Sequence, residues 1–198
     1  MKIEVVKYNQ HWPEQFQKLK AELGILLRPL HPVIEHIGST SVPGLSAKGV
    51  IDICVGVKNQ HLFSDVVGYM HMHPQYIYYS VFNDVMPQRR LFVKLKDIDS
   101  VKEFGNVFSN REHIPHEEIN SLRVAHVHVW EMDSRDWKRH LAFRDYLRKH
   151  EEVRKEYEAL KLKLSQQEWK DGMAYNDGKN EFIKFHEAKA VEWHNSNL

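Results

Sequence analysis

Trp12, Phe16, Leu19, Leu23 and Leu26 recur at three- and four-residue steps, the spacing that gathers side chains on one face of a helix. Asn9 suits its cap, and Pro13 a first turn in which a missing N–H costs nothing. The period then shortens. Residues 33–37, entered after Pro29 and Pro32, predict a strand, and residues 50–57, β-branched and bounded by Gly49 and Lys58-Asn59, predict the clearest strand in the chain. Residues 3–8 alternate only partly and read equally as a strand or an extended arm. Residues 60–73 predict a helix with Leu62, Phe63, Val66, Val67 and Met70 inward. Residues 76–82 and 89–96 predict two strands about a turn near Asn83-Asp84 and Pro87. Residues 99–120 have weak periodicity and predict no definite element.

After a last strand at residues 123–130 the pattern becomes helical. Helices are expected at 134–149, with Ser134 as cap, at 151–167 and at 177–194, with a loop about residues 170–175. No low-complexity linker or solenoid-length repeat divides the chain. The expectation is one α+β domain over residues 1–198. A mixed sheet within about 1–132 is covered on one side, and a helical part of about 133–198 packs on it. At 198 residues such a domain buries roughly 70% of its unfolded surface.

Polar residues inside these apolar strands are the candidates for chemistry. Asp52 lies among Val50, Ile51, Ile53 and Val55, and a carboxylate there is costly to bury without a partner. Period-two geometry puts Asp52 and Cys54 on one face of their strand, and His126 and His128 on one face of theirs. If the two strands are neighbours, one Asp and two His converge, a set better suited to Zn²⁺, Mn²⁺ or Fe²⁺ than to Mg²⁺, unless one histidine serves instead as a general base. Other readings stay open: Asp52 as a structural carboxylate paired with Lys48 or an arginine, and the histidines as a solvated face. Ahead of Asp52, Gly38 permits close backbone approach, and Ser39 and Thr40 carry hydroxyls, unless Ser39 is merely a cap.

In the tail, Tyr157 and Lys161, Tyr175 and Lys179, and Arg144 and Arg148 are each four residues apart. They read either as pocket-lining groups or as an amphipathic face with snorkelling lysines. Arg89, Arg90 and Lys94 are placed to meet a ligand from the sheet. His113, His116, Glu117 and Glu118 form either a metal cluster or a solvated loop. Formal net charge is +1, so nucleic acid is not an expected partner. One cysteine, Cys54, forms no internal disulfide, and with no signal peptide or long apolar run the expectation is a soluble cytoplasmic protein without a membrane partner.

The run His36-Ile37-Gly38-Ser39-Thr40-Ser41-Val42-Pro43-Gly44-Leu45, continuing through Lys48 to Ile51-Asp52-Ile53, resembles the signature of the GrpB family. Arg123 to Val129 resembles that family's strand ending in a His-Val pair, and Phe143-Arg144-Asp145-Tyr146-Leu147-Arg148 resembles its F-R-D-Y-L-R helix. Tyr157 to Lys161 and Tyr175 to Lys179 resemble its late Tyr/Lys segments. The resemblance implies a nucleotidyltransferase-like fold, in which a Gly-Ser turn meets phosphates and acids on neighbouring strands hold Mg²⁺. Taken with the residue readings above, the expected phosphate-binding residues are Gly38, Ser39, Thr40, Lys48, Arg90, Arg144, Lys161 and Lys179. Asp52, His126 and His128 are the expected metal ligands from their spacing, and Asp52 and His128 the expected catalytic residues, with His128 standing where the resemblance places the family's His. The second acid of active nucleotidyltransferases stands two residues after the first, where this chain has Cys54, as GrpB proteins also tend to lack it. The leading expectation is metal-dependent transfer of a nucleotidyl or phosphoryl group to a small-molecule acceptor, with Mg²⁺ or Mn²⁺, or else Zn²⁺, as cofactor. Alternatives are a catalytically incomplete fold that binds a nucleotide or phosphometabolite, and a metal-dependent hydrolase centred on Asp52, His126 and His128. The oligomeric state is left open.

Overall fold

The β-branched run after Gly49 forms β2 (Ile51–Val57), a strand held by neighbours on both edges. A computed structural model describes residues 2–97, 99 and 105–197. In it β2 pairs antiparallel with β1 (Val33–Ile37) and parallel with β5 (Arg123–Glu131). On the far side of β5 lie β4 (Arg89–Leu95) and β3 (Tyr76–Tyr78), both pairings antiparallel, which gives the order β1-β2-β5-β4-β3. A parallel step needs a long crossover. The chain between β2 and β5 supplies one, with α2 (Phe63–His71), β3, β4 and α3 (His116–Leu122) inside it.

Alternation divides the sheet into two faces. Ile51, Ile53, Val55 and Val57 of β2 and Ala125, Val127 and Val129 of β5 form the main core with α1 (Trp12–Leu26) and α2. On the other face, Cys54 and Trp130 are buried with Ile37 and Trp137 beneath α4 (Arg135–Lys149). The tail continues as α5 (Glu151–Ser165), α6 (Gly172–Asp177) and α7 (Asn180–Ser196); α4, α5 and α7 enclose an apolar cluster with Val42 and Leu45. This is the mixed α+β arrangement expected, with seven α-helices among the described residues. None of them is long and apolar enough to cross a membrane.

Several boundaries differ from the pattern-based reading. Asn9 does not cap α1: its side-chain oxygen accepts from His11 N–H (2.9 Å), and His11 occupies the cap position without a side-chain bond. Ser134 does cap α4, accepting from Trp137 N–H (3.3 Å). The strand predicted over 76–82 stops at Tyr78, because Ser80–Phe82 turns and Tyr78 bonds Asn106 and Phe108 instead. Residues 3–8 are an extended arm, with a bridge from Val6 to Ala47. The loop expected near 170–175 contains α6, begun by Asp171 accepting from Ala174 N–H (2.8 Å), and α7 starts at Asn180. In the weakly patterned region, residues 100–104 lie outside the described residues; the remainder includes a turn at Arg111–His113 and α3.

Candidate functional site

The two strands singled out by their polar residues are neighbours. Parallel register sets Asp52 beside His126 and Cys54 beside His128. His126 Nδ1 lies 2.8 Å from Asp52 Oδ1. An ionised carboxylate only accepts, so this nitrogen carries the proton and Nε2 keeps its lone pair. Asp52, His126 and His128 can each offer one ligand atom, all within 4.8 Å of one another. Burial raises the Asp52 pKa, but the hydrogen bond from His126 and the nearby positive groups outweigh it and hold the carboxyl at about 2. Burial lowers both imidazoles, that of His128 well below the usual range with help from the Arg89 charge. His128 Nδ1 is buried with no hydrogen-bond partner.

Gly38 stands directly over this group. Its φ of 68° and ψ of −174° fall in a region essentially reserved for glycine, and a Cβ there would meet Asp52 Oδ2 at 2.3 Å. The glycine thus makes room for the carboxylate itself, a different reason from the phosphate approach read in the sequence. Ser39 is not a cap. Its Oγ accepts from Lys161 Nζ at 2.9 Å, while Lys161 also donates to the Ser46 carbonyl. Thr40 corrects an expectation: its buried hydroxyl is committed to His36 Nε2 (3.0 Å) and the Val50 carbonyl (3.5 Å), so it is not offered to a ligand.

These groups open into a cleft of about 760 Å³. Lys48 and Lys179 lie over the ring of Tyr175, 4.1 and 4.6 Å from its centroid, and Lys161 lies 4.7 Å over Tyr157. Neither Lys48 nor Lys179 forms an ion pair among the described residues. Burial, aided by the Lys179 charge, pushes Lys48 and Lys161 down to about 7, with Arg123 adding to the effect at Lys48; burial takes Lys179 to about 8 against the pull of Asp52.

Two expected ligand-binding arginines lie elsewhere. Arg90 has the strand parity of Phe92 and Lys94, so it turns away from the cleft, lies 4.8 Å over the Phe63 ring and donates to the Pro87 and Arg89 carbonyls. Lys94 points the same way, to Glu22 (2.5 Å). Arg144 ties α4 to β1, pairing with Glu35 (2.6 Å), Asp145 (2.8 Å) and the His36 carbonyl (3.2 Å). Arg148 donates to the Ser41 carbonyl. Of the cluster at 113–118 only His116 borders the cleft, and Asp52, His126 and His128 are the one metal-capable trio among the described residues. Sequence reasoning missed His140 and Arg123, which also line the cleft. Simple alternation sends Arg123 to the core face with Ala125 and Val127, but Lys94 pairs with Ala125 and Leu95 with Arg123, leaving Val124 as an extra residue. Such a bulge re-aims the side chain beyond it, and no residue pattern announces it.

A family model described as GrpB protein matches residues 2–189. The chain belongs to the GrpB family. This GrpB chain is similar to the UPF0157 protein YqkA of Bacillus subtilis, 33% identical over 192 residues. That match takes in 97% of the chain but 48% of the relative, so the chain spans about half the relative's length. It is also similar to the glutamate-rich protein GrpB of Alkalihalophilus pseudofirmus, 28% identical and covering 90% of each. In structure it is similar to the crystal structure of the conserved protein GrpB from Enterococcus faecalis. The TM-score is 0.74 and the identity 30%, over 96% of this GrpB chain and 99% of the other.

Proposed function

We propose that this GrpB-family chain transfers a nucleotidyl or phosphoryl group to a small-molecule acceptor with the help of a divalent metal. One observation carries the reading: Asp52, His126 and His128 converge on the floor of a cleft that also presents Lys48, Lys161 and Lys179. The donor set of one carboxylate and two imidazoles fits Mn²⁺ or Zn²⁺ better than Mg²⁺, and the partnerless Nδ1 of His128 is the kind of buried atom a metal satisfies. Those three residues would hold the ion, which when bound supplies Lewis-acid neutralisation of phosphate oxygens.

The remaining chemistry belongs to the chain. The three lysines grip phosphate oxygens, and Tyr175, whose ring Lys48 and Lys179 share, keeps two of the ammonium groups apart and oriented. Asp52 holds the Nδ1 proton of His126, so its Nε2 is free to ligate or to take a proton. Both imidazoles are kept neutral near pH 7 by burial, the state required of a ligand or of a base for an acceptor hydroxyl.

A second reading, binding of a nucleotide or phosphometabolite without turnover, is favoured by Cys54. It stands where a paired acid would be, buried among Ile37, Trp130 and Trp137, with its thiol pushed far above the usual range by burial. The test is incubation with each nucleoside triphosphate, a Mg²⁺, Mn²⁺ and Zn²⁺ series and a pooled metabolite extract, followed by mass spectrometry. Metal-dependent pyrophosphate or nucleoside diphosphate release is expected, falling at least about a hundredfold in Asp52→Asn. Calorimetric nucleotide binding with no turnover under any metal establishes the binding reading instead. Hydrolysis without an acceptor, lost in His128→Ala, assigns the hydrolase.

A further inference from the structure

We infer that the β4–β3 side of the cleft is a subsite for an apolar small molecule bearing a carboxylate, and that Arg123 grips that carboxylate. The sheet order separates two sides. Gly38, Ser39 and Asp52 enter from β1–β2, while Leu91, Val93 and Tyr79 enter from β4 and the segment after β3, with β5 between. The second side is an apolar wall of Tyr79, Phe82, Leu91, Val93, Ile114 and Ile119. Val85, 64% exposed, extends it to the mouth. Such a wall, buried at Val93 and Ile119 and reaching solvent only towards Phe82, Leu91 and Val85, fits an apolar body better than a hydrated triphosphate.

Arg123 supplies the polar element of this side. The bulge at Val124 turns it into the cleft, its Nε is buried with no hydrogen-bond partner, and it forms no ion pair among the described residues. The acid whose charge it feels, Asp52, already accepts from His126. In this half-buried side chain a buried Nε left unpaired is costly, and the planar guanidinium fork matches a carboxylate through two parallel bonds. Arg111, 5.0 Å over the Phe82 ring, adds a second cation at the same wall. Six basic side chains line the cleft against Asp52 and Asp171, and Asp171 is spent on capping α6. The lysines on the other side can account for a phosphate donor; the arginines call for a second anionic group. The role of this molecule as the transfer acceptor rests on the function proposed above, whereas its binding does not.

The experiment is calorimetric titration of the full chain, without nucleotide or metal, with benzoate, phenylpropanoate and octanoate, and with phenylpropanol, phenylpropylamine and phenylpropyl phosphate as matched arms. Saturable binding is expected for a carboxylate, with the alcohol and amine at least about tenfold weaker, as for loss of a charge-assisted hydrogen bond. Arg123→Met is expected to weaken the carboxylate by about ten- to a hundredfold. Arg123→Lys, which keeps the charge and removes the fork, gives an intermediate loss and serves if the methionine variant fails to fold by circular dichroism. Tighter binding of the phosphate arm, equal binding of the alcohol, full affinity in a folded Arg123 variant, or no saturable carboxylate binding overturns the proposal. Because nucleotide and metal are absent, failure here leaves the transfer chemistry untouched, and failure of turnover leaves this titration standing.

Discussion

Gly38 meets two independent demands at once: a backbone conformation at φ 68° that other residues avoid, and a Cβ direction already filled by Asp52 Oδ2. Gly38→Ala is therefore expected to destabilise the fold by about 1–3 kcal/mol and to displace the Asp52 carboxylate from His126. Thermal melts and the turnover assay check both parts; a variant with full turnover would show that the carboxylate tolerates the shift. At this scale much of the site was legible. Asp52, His126, His128 and Lys161 are polar residues where an apolar strand or a helix face calls for something else, and all four reach the cleft. Thr40 and Arg144 carry the same kind of signal but satisfy neighbours in the fold, His36 for one and Glu35 for the other. A side chain's identity states what it can bond, and the local backbone decides with whom.

Between elements, the seat of α4 on β2 depends on the absence of a side chain. A Cβ on Gly56 would meet Met132 Cγ at 2.6 Å and Trp137 Cζ3 at 2.8 Å, and Trp137 is buried against Cys54 and Trp130. Gly56→Ala is expected to cost about 1–3 kcal/mol through overpacking, seen as a lower denaturant midpoint with an unchanged slope. An unchanged midpoint would show that α4 is loosely seated. The long helices and central strands were legible because their period is sustained over two or more turns or alternations. Asn9 as a cap, β3 as a long strand and the loop that contains α6 were misread for one reason: each is decided by a few hydrogen bonds to distant backbone or to a single side chain. The bulge in β5 is of the same kind, and it moves Arg123 from the core to the cleft.

Across the whole molecule, three lysines from separate segments meet at one cleft: Lys48 before β2, Lys161 in α5, Lys179 ahead of α7. Their folded pKa values of about 7, 7 and 8 lie below the ordinary 10.5, so the cationic form is full only below neutrality. Nucleotide affinity is therefore expected to fall as pH rises from 7 to 9, with proton uptake on binding at pH 8. Lys161→Met should remove part of that slope. Calorimetry in buffers of different ionisation enthalpy measures both, and a pH-independent affinity would refute the lysine grip. The sequence by itself determined the α+β class, the main helices and strands, and the residues able to do chemistry, because hydrophobic period and side-chain type are local properties. Tertiary structure alone decided that β5 lies beside β2, so that Asp52 faces His126, that the lysines share Tyr175, and that Arg90 and Arg144 turn away while Arg123 turns in. Those outcomes depend on strand order, register and one bulge, which are set by packing across distant parts of the chain.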